Sequence, residues 1–176
     1  MQNNQPWYVI TGGPYAGKTT LIGELENRGY NVVPEMARTV IDEGLNQGKT
    51  LSDIRKDEGL FQKVVLDRKI EVEKTTPKDT ITFFDRGMPD SLAYYRANNI
   101  PENRELVEAC ERSKYRKVFL LELLGFQNDE VRNESPELAT KIQKELFRCY
   151  QELGCEIIRV PVLPLTERVA YILNNL

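Results

Sequence analysis

The chain has 176 residues, enough for one domain with a sizeable core, and its 24 basic and 27 acidic side chains leave no basic block of the kind that tracks a nucleic-acid backbone. Three cysteines, Cys110, Cys149 and Cys155, lack metal-ligand spacing, and no apolar run approaches the roughly 18 residues of a membrane span. Histidine is absent, which removes Ser-His-Asp chemistry, His-ligated zinc and any imidazole base; carboxylates, Lys, Arg and a hard metal ion are left to do the work. The expectation is a cytoplasmic, soluble protein with reduced thiols and neither a membrane nor a polynucleotide as partner.

Taken in chain order, the first predicted strand is Trp7–Thr11, and it runs directly into Gly12-Gly13-Pro14-Tyr15-Ala16-Gly17-Lys18-Thr19, a match to G-x-x-x-x-G-K-[ST]. Glycines let such a loop fold around an anion with its N–H groups pointing inward. Lys18 then reaches the β- and γ-phosphates, and the Thr19 hydroxyl ligates Mg²⁺, with Thr20 completing the cradle. A helix follows from Gly17 to about Arg28 and stops at Gly29. The second strand, about Tyr30–Pro34, delivers Glu35, which could take a proton from an acceptor hydroxyl, and Arg38, which could hold an anionic group of that acceptor. A blander reading makes Glu35 a helix cap and Arg38 its solvated partner.

A long helix is predicted over Ser52–Lys74, with Ser52 as its cap. Gln62 and Arg68 lie six residues apart on it, share a face only loosely, and are candidates to meet an acceptor bound above the sheet. Phe61, Val64, Val65 and Leu66 read most simply as core. The third strand, Thr80–Asp85, is apolar and ends in an acid, the arrangement in which a carboxylate holds Mg²⁺ opposite a phosphate loop. Arg86 next to it can fork onto a phosphate oxygen or simply pair with Asp85. Helices are predicted at about Pro89–Asn98 and Pro101–Ser113, and a fourth strand at Lys117–Leu123.

The polar stretch of about 125–135 suits a lid, in which Arg132 is either a solvated arginine or a same-chain arginine that closes onto the transferring phosphoryl group. A helix at Pro136–Leu153, a fifth strand at Glu156–Val160 and a last helix at Thr166–Asn174 complete the chain. Pro161 and Val162 after the fifth strand are candidates for the apolar clamp of a purine ring. Strands alternating with helices predict an α/β fold with a largely parallel sheet, and no repeat or linker divides residues 1–176.

The segments "ITGGPYAGKTT", "GYNVVPEMAR", "FFDRGMPDSLAYYR", "NDEVRNESPELA" and "YQELGCEIIRVPVLPLTERVAYIL" together resemble the small AAA-labelled predicted-ATPase family, related to the nicotinamide-riboside kinase domain of bacterial NadR proteins. The likeness spans nearly the whole chain in order. It implies a three-layer, kinase-like P-loop NTPase with strand order 2-3-1-4-5 and a short lid, and ATP and Mg²⁺ as ligands. Local similarity to nucleoside and thymidylate kinases implies that Glu35 and Arg86 are acceptor-side residues and Arg132 a lid arginine.

Tyr15 departs from the family, which often carries glycine there; a position with positive φ would strain a tyrosine. Two functions stand open. One is a Mg²⁺-dependent kinase passing the γ-phosphoryl group of ATP, or of GTP, to a nucleoside-like or other small acceptor; the other is a regulatory NTPase with slow hydrolysis and a protein partner. The guanine-switch patterns D-x-x-G and N-K-x-D do not occur, which favours the kinase. The motifs leave monomer and homodimer equally open.

Overall fold

A computed structural model of the chain describes residues 5–124 and 135–176. Five strands, β1 (Trp7–Thr11), β2 (Asn31–Val33), β3 (Thr82–Asp85), β4 (Lys117–Leu121) and β5 (Ile157–Val160), form one sheet in the order β2-β3-β1-β4-β5. Every pairing is parallel: Ile10 of β1 lies beside Asp85 of β3 and Phe119 of β4. Parallel strands need a crossover between them, and the crossovers here are helical, so both faces of the sheet are covered.

Alternation along β1 shows how the cover is divided. Tyr8 and Ile10 point to one face, where they meet Leu21, Leu25, Phe83, Phe119, Val169 and Ile172; Trp7 and Val9 point to the other, toward Val65, Phe84, Tyr115 and Tyr150. Helices α1 (Lys18–Asn27) and α8 (Leu165–Leu173) close the first face. Helices α4 (Glu58–Thr75), α5 (Met88–Ala97), α6 (Arg104–Arg112) and α7 (Pro136–Glu152) close the second, around Leu92, Leu106, Ile142 and Leu146. Phe83 is fully buried, and its truncation to Ala would cost about 3–5 kcal/mol.

The region after β2 differs from the sequence expectation. The helix α2 (Met36–Asn46) follows Glu35 directly, and the single long helix predicted from Ser52 is two. A short α3 (Leu51–Ile54) is capped by Thr50, whose hydroxyl accepts from Asp53 N and whose own N–H donates to the Asp53 carboxylate in return, so Thr50 and not Ser52 is the cap. The chain then breaks over Arg55–Asp57, and Asp57 caps α4 by accepting from Leu60 N at 2.9 Å. Two competent caps seven residues apart make two helices cheaper than one. The break lets α2, α3 and α4 wrap around the carboxyl edge of β2 and β3 and form one wall of a cavity.

Candidate active site

The phosphate loop lies between β1 and α1, as the motif requires. Gly17 has φ 73°, a left-handed turn natural to glycine that aims the start of α1 into the loop. Tyr15 has φ 68°, so the strain expected of a tyrosine at a positive-φ position is present. Lys18 is buried and folds back, donating to the carbonyls of Gly12 at 2.8 Å and Gly13 at 2.9 Å. Burial, reinforced by the nearby Arg86, lowers its pKa to about 7. Thr19 and Thr20 are exposed at the start of α1.

The second half of the site is built on the turn that ends β3. Arg86 also has a left-handed backbone, φ 71°, and its N–H donates to Ile10 O at 3.0 Å. Gly87 comes next, where a Cβ would sit 2.6 Å from the Tyr150 hydroxyl and 2.9 Å from Val9 Cγ2; only glycine lets the turn pass. Asp90, fully buried, ties the turn down. It accepts from Thr11 Oγ1 at 2.6 Å, from Gly87 N at 3.0 Å and from the Tyr150 hydroxyl. Lys69 of α4 reaches the same place, donating to Gly87 O at 2.8 Å and Ser91 Oγ at 3.0 Å. With this turn immobilised, Arg86 projects toward Glu35, donating from Nε to Oε1 at 2.7 Å, with the Tyr94 ring 5.1 Å from its guanidinium carbon.

Burial would push the Glu35 pKa up, but Arg86 and Lys18 outweigh it and hold the carboxyl below its usual range, hence ionised. Asp85 goes the other way: burial, with the Glu35 charge adding to it, raises its pKa to about 6. Among the described residues, Asp85 Oδ1 and Arg86 Nη1 are both buried without a hydrogen-bond partner. Such atoms are costly unless something completes them. A carboxylate oxygen suits a hard cation and a guanidinium N–H suits a phosphate oxygen, so this donor set fits Mg²⁺ and an anionic ligand.

Lys18, Glu35 and Arg86 open onto one cavity of about 350 Å³. Its far wall is apolar, from Ile41, Leu51, Phe61 and Val65, and Gln62 presents a buried amide that donates to Glu58 Oε1 at 2.9 Å. Arg38 stands exposed at the rim, 3.7 Å from Asp42. Phe61, read from sequence as core alone, is both buried and cavity-lining. Arg68 is not part of this surface. Six residues beyond Gln62 it has rotated to another face of α4, half-exposed and paired with Glu43 at 2.7 Å. Pro161 and Val162 are exposed beyond β5 and do not line the cavity. Arg132 and nearly all of the predicted lid lie outside the described residues.

Sequence reasoning missed Asp90, Lys69, Gln143 and Arg168. Gln143 of α7 accepts from Gly13 N at 2.6 Å and donates to Leu121 O at 3.0 Å, bracing the phosphate loop against β4. Asp90 had a signal in the sequence, an acid three residues past Gly87 with Pro89 between, the spacing of a helix start. The other three make contacts with no local signature.

No curated protein matches the chain. The fold is shared with kinases of known structure: deoxyadenosine kinase from M. mycoides with bound dCTP (16% identity, 96% of this chain and 97% of that one, TM-score 0.67) and thymidylate kinase from Ehrlichia chaffeensis (11%, 96% and 97%, 0.65). NadR protein in complex with NR is similar over 97% of this chain but half of its own length (13% identity, TM-score 0.69). The sequence model of one AAA-domain family matches residues 7–168, and the chain therefore belongs to that family, with a kinase-like P-loop fold.

Proposed function

We propose that the protein is a Mg²⁺-dependent cytoplasmic kinase that transfers the γ-phosphoryl group of ATP to a hydroxyl of a small, nucleoside-like acceptor. The observation that carries this reading is that the phosphate-loop Lys18 and the Glu35–Arg86 pair line one cavity of about 350 Å³, the scale of a small-molecule pocket. A water-hydrolysing switch has no use for an apolar wall beyond its carboxylate. The likeness in fold to deoxyadenosine kinase supports the acceptor class.

In this reading ATP lies on residues 12–20 with Pro161 and Val162 toward its base, and Arg132 serves as the same-chain arginine for the transferring phosphoryl group. Mg²⁺, held by Thr19 and Asp85, would neutralise phosphate charge when bound. The acceptor's ring rests on Phe61 and Val65, with Gln62 at its polar edge and Arg38 at the rim. Glu35 orients the acceptor hydroxyl and takes its proton as the oxygen bonds to the γ-phosphorus; the β–γ bridging P–O bond breaks and ADP leaves. Lys18 and Arg86, whose Nη1 makes no hydrogen bond and stands 3.5 Å from Asp90 Oδ1, stabilise the charge that gathers on the equatorial oxygens.

The test is ADP formation from Mg²⁺-ATP, alone and with a panel of nucleosides, nucleotides and vitamin-like alcohols, with Lys18→Ala as the inactive control. Strong stimulation by one hydroxyl acceptor is expected. Slow hydrolysis indifferent to every acceptor would overturn the kinase in favour of a regulatory NTPase.

A further inference from the structure

Arg168, the fourth residue of α8, is an unusual residue to bury on a helix whose other buried positions are Val169 and Ile172. It is 3% exposed, yet its guanidinium pairs with no carboxylate among the described residues. Nη2 donates to Ala16 O at 2.8 Å, and Nε is buried with no hydrogen-bond partner. Nη1 stands so close to the phosphate loop that a Cβ on Gly17 would meet it at 3.0 Å. Burying an unpaired cation is expensive, and a residue kept only to brace a carbonyl would do so as a neutral amide at lower cost. Its desolvation lowers the pKa with nothing opposing.

The placement explains the expense. The carbonyl that Arg168 holds belongs to the Ala16–Gly17 peptide, whose other end is the Gly17 N–H, one of the donors in the phosphate-cradling motif. A positive charge on the carbonyl end polarises that peptide and strengthens the N–H as a donor, the cooperativity of a hydrogen-bond chain in a low-dielectric setting. The same charge lies near enough to the loop to attract a polyphosphate directly. We propose that Arg168 is a positioning residue for the nucleotide: an uncompensated buried charge behind the phosphate loop that acts through the Ala16–Gly17 peptide and finds its counter-ion in the phosphate chain of a bound nucleoside triphosphate.

This rests on the reading that the loop binds ATP, so wild-type binding of Mg²⁺-ATP is the control that tests that reading separately. The experiment compares R168K, which keeps the charge, with R168Q, which keeps an N–H donor without it. Titrations use ATP, ADP and adenosine, and melting is followed with and without ATP. R168Q is expected to bind ATP and ADP about tenfold more weakly with adenosine unchanged, while R168K stays within about threefold of wild type. The unliganded R168Q protein should melt no lower than wild type but gain less from ATP. Equal ATP affinity in R168Q and wild type overturns the proposal. So does a lower unliganded melting point with an undiminished gain from ATP, which marks a structural brace. R168M removes the charge while filling the space; failure of both neutral variants to fold also overturns it, because the charge would then be part of the scaffold.

Discussion

The turn at the end of β3 and the wall made by α2, α3 and α4 border the same cavity but are held in opposite ways. Around the turn the fastenings are buried and polar: Asp90 satisfies Thr11, Gly87 and Tyr150 at once, and Lys69 closes the network from the other side. The polar fastenings of the wall, laid over an apolar underside of Met36, Phe61 and Val65, are exposed pairs, Arg68 with Glu43, Arg55 with Glu58, Arg38 with Asp42, and two helix caps at the surface. Buried networks are all-or-none, whereas exposed ion pairs are each worth about 0–1 kcal/mol. On the proposed mechanism, the chemistry that depends on placing Arg86 and Glu35 sits on the first, and the surface that would accept a particular molecule sits on the second.

The largest effect should come where the two regions meet. Glu35→Gln is expected to lower phosphoryl transfer by about 10²–10⁴-fold while ATP affinity, measured by titration calorimetry, holds. Unchanged transfer would remove Glu35 from the mechanism. Asp90→Ala should destabilise the fold by about 3–5 kcal/mol, read from the urea midpoint, because three donors and the nearby Arg86 lose a buried acceptor together. A loss under about 1 kcal/mol would mean the turn is not held as a unit. On the wall the changes shrink: Gln62→Leu should raise the acceptor KM by up to about tenfold with kcat nearly constant, in steady-state kinetics. Arg68→Ala should move stability by no more than about 0.5 kcal/mol in the same urea assay. Were it to rival Asp90→Ala, the contrast between the two regions would collapse.

The same contrast governs what could be seen in the sequence. The phosphate loop, the five strands and their order were legible, because glycine spacing, apolar runs and family likeness are all local or collinear signals. Strand ends were overrun by one to two residues, as at Thr80 and Leu123, since β-branched and apolar character continues past the last ladder bond. The break between α3 and α4 was marked only by Thr50, Asp57 and Gly59, with no proline to force it and with Arg55, Lys56 and Glu58 favouring a continuous helix. Glu35 and Arg86 were nameable from their strand ends, but that they bond to each other was not. Gln143 and Arg168 reach the loop from 130 and 152 residues away, so no window of sequence relates them to it.

The left-handed backbone of Arg86 bears on how this chain can change over time. A glycine at that position would relax the turn by roughly 1–2 kcal/mol while removing the guanidinium that Glu35 holds. Most other residues would keep the strain and lose the charge as well. Drift at position 86 therefore has an exit toward a sturdier protein that, on the proposed mechanism, transfers no phosphoryl group.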